Sequence, residues 1–220
     1  MSFTKETFGF LADLEANNAK DWFEANRARY EPHWKEAALD FIADVSGDMA
    51  ALEPALRAEP KLNKSLRRIN RDVRFSKDKS PYNARLHLVF WVGDHPNRSP
   101  GLHVVLQPGG IGYGAGQFGI EPAALKALRA RIVGPDGDEL IAALAAAEEV
   151  NCRMGAPDLA RLPKGFEAEA RRAELLRYKG FVARTWDHLD RGEAILGDKG
   201  RGWLRGKAEA LMPLIRWLAA

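Results

Sequence analysis

Apolar positions recur every three or four residues over most of the chain and every second residue in its centre, and this change of period sets out the elements. Phe3, Thr7, Phe10, Leu11 and Leu14 predict a short first helix. Asn17 and Asn18 stop it and offer a cap to a second helix, which buries Trp22, Phe23 and Tyr30 along one side. Pro32 interrupts that helix and suits the first turn of a third, whose buried stripe is Trp34, Ala38, Phe41, Ile42, Val45 and Met49. Gly47 is expected to end or fray it, and Leu52 to Lys61, with Pro54 and Pro60, reads as a connection.

From Leu66 to Phe75 the period falls to two. Ile69, Val73 and Phe75 share one face, and Arg68, Asn70, Asp72 and Arg74 share the other, so the pattern predicts a strand with a polar side. Arg71 breaks the apolar side, which marks an edge position or a functional demand. Leu86 to Val92 is almost continuously apolar and is placed near the sheet centre. Leu102 to Leu106 follows, then a tight turn at Pro108-Gly109-Gly110 into Ile111-Gly112-Tyr113, and such short links predict an antiparallel meander.

Glu121-Pro122 opens a helix carrying Leu125, Leu128 and Ile132, and a second carries Leu140, Ile141 and Leu144. Gly180 to Trp186 reads as a late strand, and a last helix runs from about Trp203 to Leu218, kinked or restarted at Pro213. The expectation is a single α+β domain over 1–220, its antiparallel or mixed sheet covered by N-terminal and C-terminal helices. Residues 1–60 form the helical part, 61–118 the strand-rich centre, and 119–220 the later helices and strand.

Composition narrows the class. A chain of 220 residues can bury a core without staples, and its single Cys excludes a disulfide framework. No apolar run is long enough to span a bilayer, and Met1-Ser2-Phe3-Thr4-Lys5-Glu6 lacks the basic-then-apolar order of a signal peptide, so a cytoplasmic protein without a membrane partner is expected. The net charge of +3 conceals an asymmetry: residues 61–85 hold nine Lys or Arg against two Asp, whereas residues 1–60 hold six against twelve Asp or Glu. Those cations can serve an anionic ligand, a nucleic acid, or the acidic N-terminal helices of the same molecule through Asp21, Glu24 and Glu31. A small anionic ligand is favoured over nucleic acid.

Guanidinium forks and ammonium groups suit phosphate or carboxylate oxygens. The candidate site therefore takes Arg68, Arg71 and Arg74 as anion contacts, Asp72 as their orienting partner, Lys79 as a further cation, and Tyr82 and Tyr113 as exposed groove walls. A rival reading makes Asp72 or Asp78 the base or metal ligand of a phosphoester hydrolase. His33, His87, His95, His103 and His188 show no metal-ligand spacing, although His87 and His103 fall on neighbouring strands and can meet as ordinary packed side chains. No cofactor is specified. Cys152 follows Glu148 and Glu149, which raise a thiol pKa, and reads as structural. The glycines from Gly109 to Gly119 lack a Gly-Lys-Ser/Thr end, which excludes a nucleotide P-loop and leaves a turn and close strand packing.

The run Arg68-Ile69-Asn70-Arg71-Asp72-Val73-Arg74-Phe75-Ser76-Lys77-Asp78-Lys79-Ser80-Pro81-Tyr82 resembles the signature of the bacterial family filed as domain of unknown function 2461. Asn17-Asn18-Ala19-Lys20-Asp21-Trp22-Phe23 with Tyr30, Gly109 to Tyr113, and Leu175-Leu176-Arg177-Tyr178-Lys179-Gly180 are similar to its other motifs. Asn83 stands where the family usually has Lys, so a cationic role there does not carry over. The resemblance implies no reaction, substrate or cofactor.

Overall fold

The stripe beginning at Phe3 winds as α1 (Lys5–Ala16), with Phe10, Leu11 and Leu14 buried. α2 (Lys20–Ala25) and α3 (Arg27–Tyr30) break at Asn26, and a π-helical turn at Glu31–Glu36 absorbs Pro32 before α4 (Ala37–Leu52). Gly47 does not end α4, which keeps its predicted stripe buried. Asn18 does not cap α2: its side chain reaches Tyr82 instead. The computed structural model describes residues 3–168, 170–186 and 189–220; His188 lies outside the described residues.

Five strands follow one another across an antiparallel sheet: β1 (Leu56–Arg57), β2 (Leu86–Val92), β3 (Gly101–Gln107), β4 (Gly110–Gln117) and β5 (Phe181–Arg184). β3 is central, third in the order, and β2 carries only the two-residue β1 on its outer side, in the stretch whose prolines read as a connection. α5 (Pro122–Val133), α6 (Gly137–Glu148), α7 (Ala170–Leu175) and α8 (Lys199–Ala219) complete the chain; α7 had no periodic signal, and α8 continues through Pro213 without restarting.

Alternate residues of the meander face the helices, while Val89 and Trp91 of β2 are buried on the opposite face. Leu86, Leu88 and Phe90 of β2, Leu102, Val104 and Leu106 of β3, Ile111, Tyr113 and Ala115 of β4, and Phe181 and Ala183 of β5 join the helices in one core. α8 packs over β3 and β4, against α4 and α6. His87, His103, Val105, Gly112, Gly114, Val182 and Arg184 line a groove on the opposite face. Among the described residues no helix is long and apolar enough to cross a membrane.

One predicted strand is absent. Only Leu66, bridged to Leu88, lies along β2, with Arg67 N–H donating to the His87 carbonyl and Val89 N–H to Ser65. The chain then leaves the sheet and forms a loop from Arg71 to Pro81, closed by the Asn70–Tyr82 bridge, with Arg71 N–H donating to Pro81 O and Asn83 N–H to Ile69 O. Alternation alone could not hold a strand here, because the supposed apolar face has no sheet to meet: Ile69 is buried but Phe75 is 95% exposed.

Candidate functional site

The Arg71 guanidinium organises the loop from within. Its Nη1 donates to Asp78 Oδ2 at 2.5 Å and to the Ser80 carbonyl at 3.2 Å, and its Nη2 lies 3.5 Å from Ser76 Oγ. Asp78 also accepts from Ser80 N–H at 2.9 Å and Ser80 Oγ at 2.6 Å. The Ser80 bonds and then Arg71 hold the Asp78 carboxyl well below the usual carboxylate range.

Arg74 and Asp72 form a second, exposed pair. Arg74 Nη2 donates to Asp72 Oδ2 at 2.7 Å and Nε to Oδ1 at 2.9 Å, and these bonds lower the Asp72 pKa. Lys79 Nζ donates to the Val73 carbonyl at 3.0 Å. Arg68 is exposed. None of these arginines meets Asp21, Glu24 or Glu31; Glu24 pairs with Arg27 and Glu31 with Lys35. The rival in which these arginines tie to Asp21, Glu24 and Glu31 is not met; Arg71 and Arg74 pair inside their own segment.

Both tyrosines expected as exposed walls are buried. The Tyr82 ring stacks on Phe23 with centroids 4.2 Å apart, while Asn18 clamps its backbone: Nδ2 donates to Tyr82 O at 2.9 Å and Oδ1 accepts from Tyr82 N–H at 3.1 Å. Tyr113 points into the core. Its hydroxyl accepts from Lys207 Nζ at 2.7 Å and donates to Val150 O at 3.0 Å, in a network where Trp203 Nε1 donates to Asp190 at 2.8 Å. This network fastens α8 to β4. Cys152, buried beside it, has its thiol pushed up to about 12 by burial, not by Glu148 or Glu149.

The glycines of β4 answer to strand packing. A Cβ on Gly114 would lie 2.4 Å from Ala183 O, and one on Gly116, at φ +144°, would lie 1.9 Å from Phe181 O. Only glycine lets β5 come this close.

What remains open to a ligand is a polar cleft of about 610 Å³ between the arginine loop, α1 and the β3–β4 turn. Arg71, Asp78, Ser80 and Tyr82 border it, as do Asn18, Glu15, Asn83, Arg85 and Gln107. Arg68, Asp72, Arg74 and Lys79 do not. Arg85, which the sequence reading passed over, is exposed and has no hydrogen-bond or carboxylate partner among the described residues. Arg85 and Gln107 also border the groove over His87 and His103, so the two depressions meet at these side chains. A signal for Arg85 was present: with Leu86 and Leu88 buried, alternation puts Arg85 and His87 together on the other face.

A family model described as "Conserved hypothetical protein (DUF2461)" matches residues 6–217. No curated protein and no solved structure matches the chain.

Proposed function

The chain belongs to that family of conserved hypothetical proteins, and we propose that within it this molecule binds a phosphate- or carboxylate-bearing ligand in the polar cleft, with Arg85 as the principal contact. The observation that carries the proposal is Arg85 itself: an unpaired guanidinium at the mouth of a cleft whose other arginine is already committed to Asp78. An unpaired guanidinium offers five donors to an oxyanion without first giving up a protein partner. Ser80, Asn83 and Gln107 supply further polar groups nearby. Glu15, on α1, has no cationic partner among the described residues, so the oxyanion goes to the Arg85 end and a hydroxyl or amine of the ligand faces Glu15.

Within this proposal Arg71 and Asp78 shape the wall, and Arg68, Arg74 and Lys79 contribute charge to the field around the mouth. Binding is favoured over hydrolysis because the oxygens of Asp72 and Asp78 are already engaged with cations, hydroxyl or amide groups. Calorimetric titration with pyrophosphate and with citrate tests the reading. Losing a charge-assisted contact worth about 1.5–3 kcal/mol should weaken binding tenfold or more in Arg85→Ala, with Arg74→Ala close to the parent and both variants unfolding at the parent's urea midpoint. Failure of both anions to bind, or unchanged affinity in Arg85→Ala, overturns it.

A further inference from the structure

The groove on the sheet face opposite the helical core is a second place with unspent chemistry. It encloses about 300 Å³ and is bordered by His87, His103, Arg85 and Arg184, with Val105, Val182, Phe118, Trp186 and Leu189 as its apolar part. No Asp or Glu borders it among the described residues.

Register explains how the histidines meet. His87 pairs with Val105 and His103 with Val89, which makes the two imidazoles diagonal neighbours on one face, with His87 Nε2 3.0 Å from His103 Nδ1. One ring must donate to the other, so the pair shares a single proton across that contact. The outer nitrogens, His87 Nδ1 and His103 Nε2, have no protein partner among the described residues. Arg67, half-buried and with a guanidinium likewise lacking a hydrogen-bond or carboxylate partner among the described residues, adds its charge to both rings.

The guanidiniums beside the two imidazoles favour an anion over a metal cation in this groove. The apolar part needs an occupant as well. Phe118 and Trp186 are 60% and 46% exposed, and the Arg184 guanidinium stacks 3.8 Å from the Trp186 ring, so an apolar wall stands beside the cationic floor.

We propose that this groove binds a small organic oxyanion, the charged group seated between Arg85 and the His87–His103 pair and the apolar body lying against Phe118, Trp186 and Val105. The groove holds both histidines neutral. Burial first, then the neighbouring charges of His103, Arg67 and Arg85, hold His87 far below the usual imidazole range, and burial and Arg67 do the same for His103. A bound oxyanion offsets the neighbouring positive charge and raises the affinity of the pair for a proton. Protonation of the pair then becomes favourable, and binding takes up a proton from solution at mildly acidic pH.

The groove shares Arg85 with the cleft reading, and the histidine and Phe118 readouts, which the cleft does not contain, separate the two. Phenyl sulfate, which stays ionised throughout, is titrated calorimetrically at pH 5.5 in two buffers of different protonation enthalpy, with inorganic sulfate as the control. The expected result is phenyl sulfate binding at least tenfold tighter than sulfate with net proton uptake. Phe118→Ala should abolish the tenfold preference, and His103→Gln should abolish the uptake. Imidazole resonances of the wild-type protein, followed by NMR through the same titration, should move toward the protonated form, which gives a readout that needs no variant. Absence of binding, binding with no proton uptake and no imidazole shift, or a preference that survives Phe118→Ala would overturn the proposal. Pyrophosphate binding in the cleft can fail while phenyl sulfate binding succeeds, and the converse holds too.

Discussion

Arg71 and Arg74 lie three residues apart in one basic run, yet their surroundings give them different work. Arg71 is partly buried and crosses the loop to Asp78 and Ser80, whereas Arg74 only reaches back to Asp72 at the surface. Nothing in residue type separates them; the separation comes from the Asn70–Tyr82 bridge, which folds Arg71 inward. His87 and His103 give a residue-scale prediction. Their pKa values are depressed in the folded protein, to about 3 and about 4, so the unfolded chain takes up protons first as pH falls below about 6.5. Folding stability contributed by the neutral pair is therefore present above that pH and lost on acidification toward pH 4. The slope is at most about 1.4 kcal/mol per pH unit for each histidine. Urea unfolding between pH 7 and 4.5 should show the His87→Gln/His103→Gln double variant gaining stability relative to the parent as pH drops. A constant difference across that range would show that the pair does not titrate as described.

At the scale of elements, β4 and β5 depend on missing side chains. Gly114→Ala forces a methyl into the Ala183 carbonyl and the Arg184 backbone, neither of which can step aside without parting the strands. A loss of at least about 2 kcal/mol is expected, comparable to other overpacking changes. Gly202, in α8, meets nothing within 4 Å, so Gly202→Ala should stabilise the protein by about 0.5–1 kcal/mol through helix propensity. Urea midpoints of the two variants check the pair of expectations. The same contrast shows what the sequence could carry. Strong period gave α1, α4, α5, α6, α8 and the three long strands, because burial on one face repeats along each of them. The run from Leu66 to Phe75 misled because period two is only half of a strand's requirement; the other half is a neighbour to pair with, and that is a tertiary fact. α7 was invisible for the related reason that six residues hold too few turns to show a stripe.

The whole molecule is a layer of helices on one face of a meander, with cationic and imidazole groups concentrated on and beside the other. The dense charge lies in residues 61–85, and of the arginines read there as anion contacts Arg71 and Arg74 pair inside the loop whereas Arg68 stays exposed. Asp72 and Asp78 engage Arg74 and Arg71; Arg85, just before β2, shares with Arg67, Arg68 and Lys77 the lack of a side-chain partner among the described residues, and of these four it alone borders the cleft. No local pattern records which cations stay unpaired, since that depends on how eleven loop residues close on one another. The account rests on Arg85 being the cation available to a ligand, and the most direct test is a crystal structure of the protein grown with sodium tungstate, read by anomalous scattering. Tungsten density within hydrogen-bond reach of the Arg85 guanidinium, in the cleft bordered by Asn18 and Gln107, is the predicted result. Density at exposed Arg68 and Arg74 alone, or none beside Arg85, would contradict it.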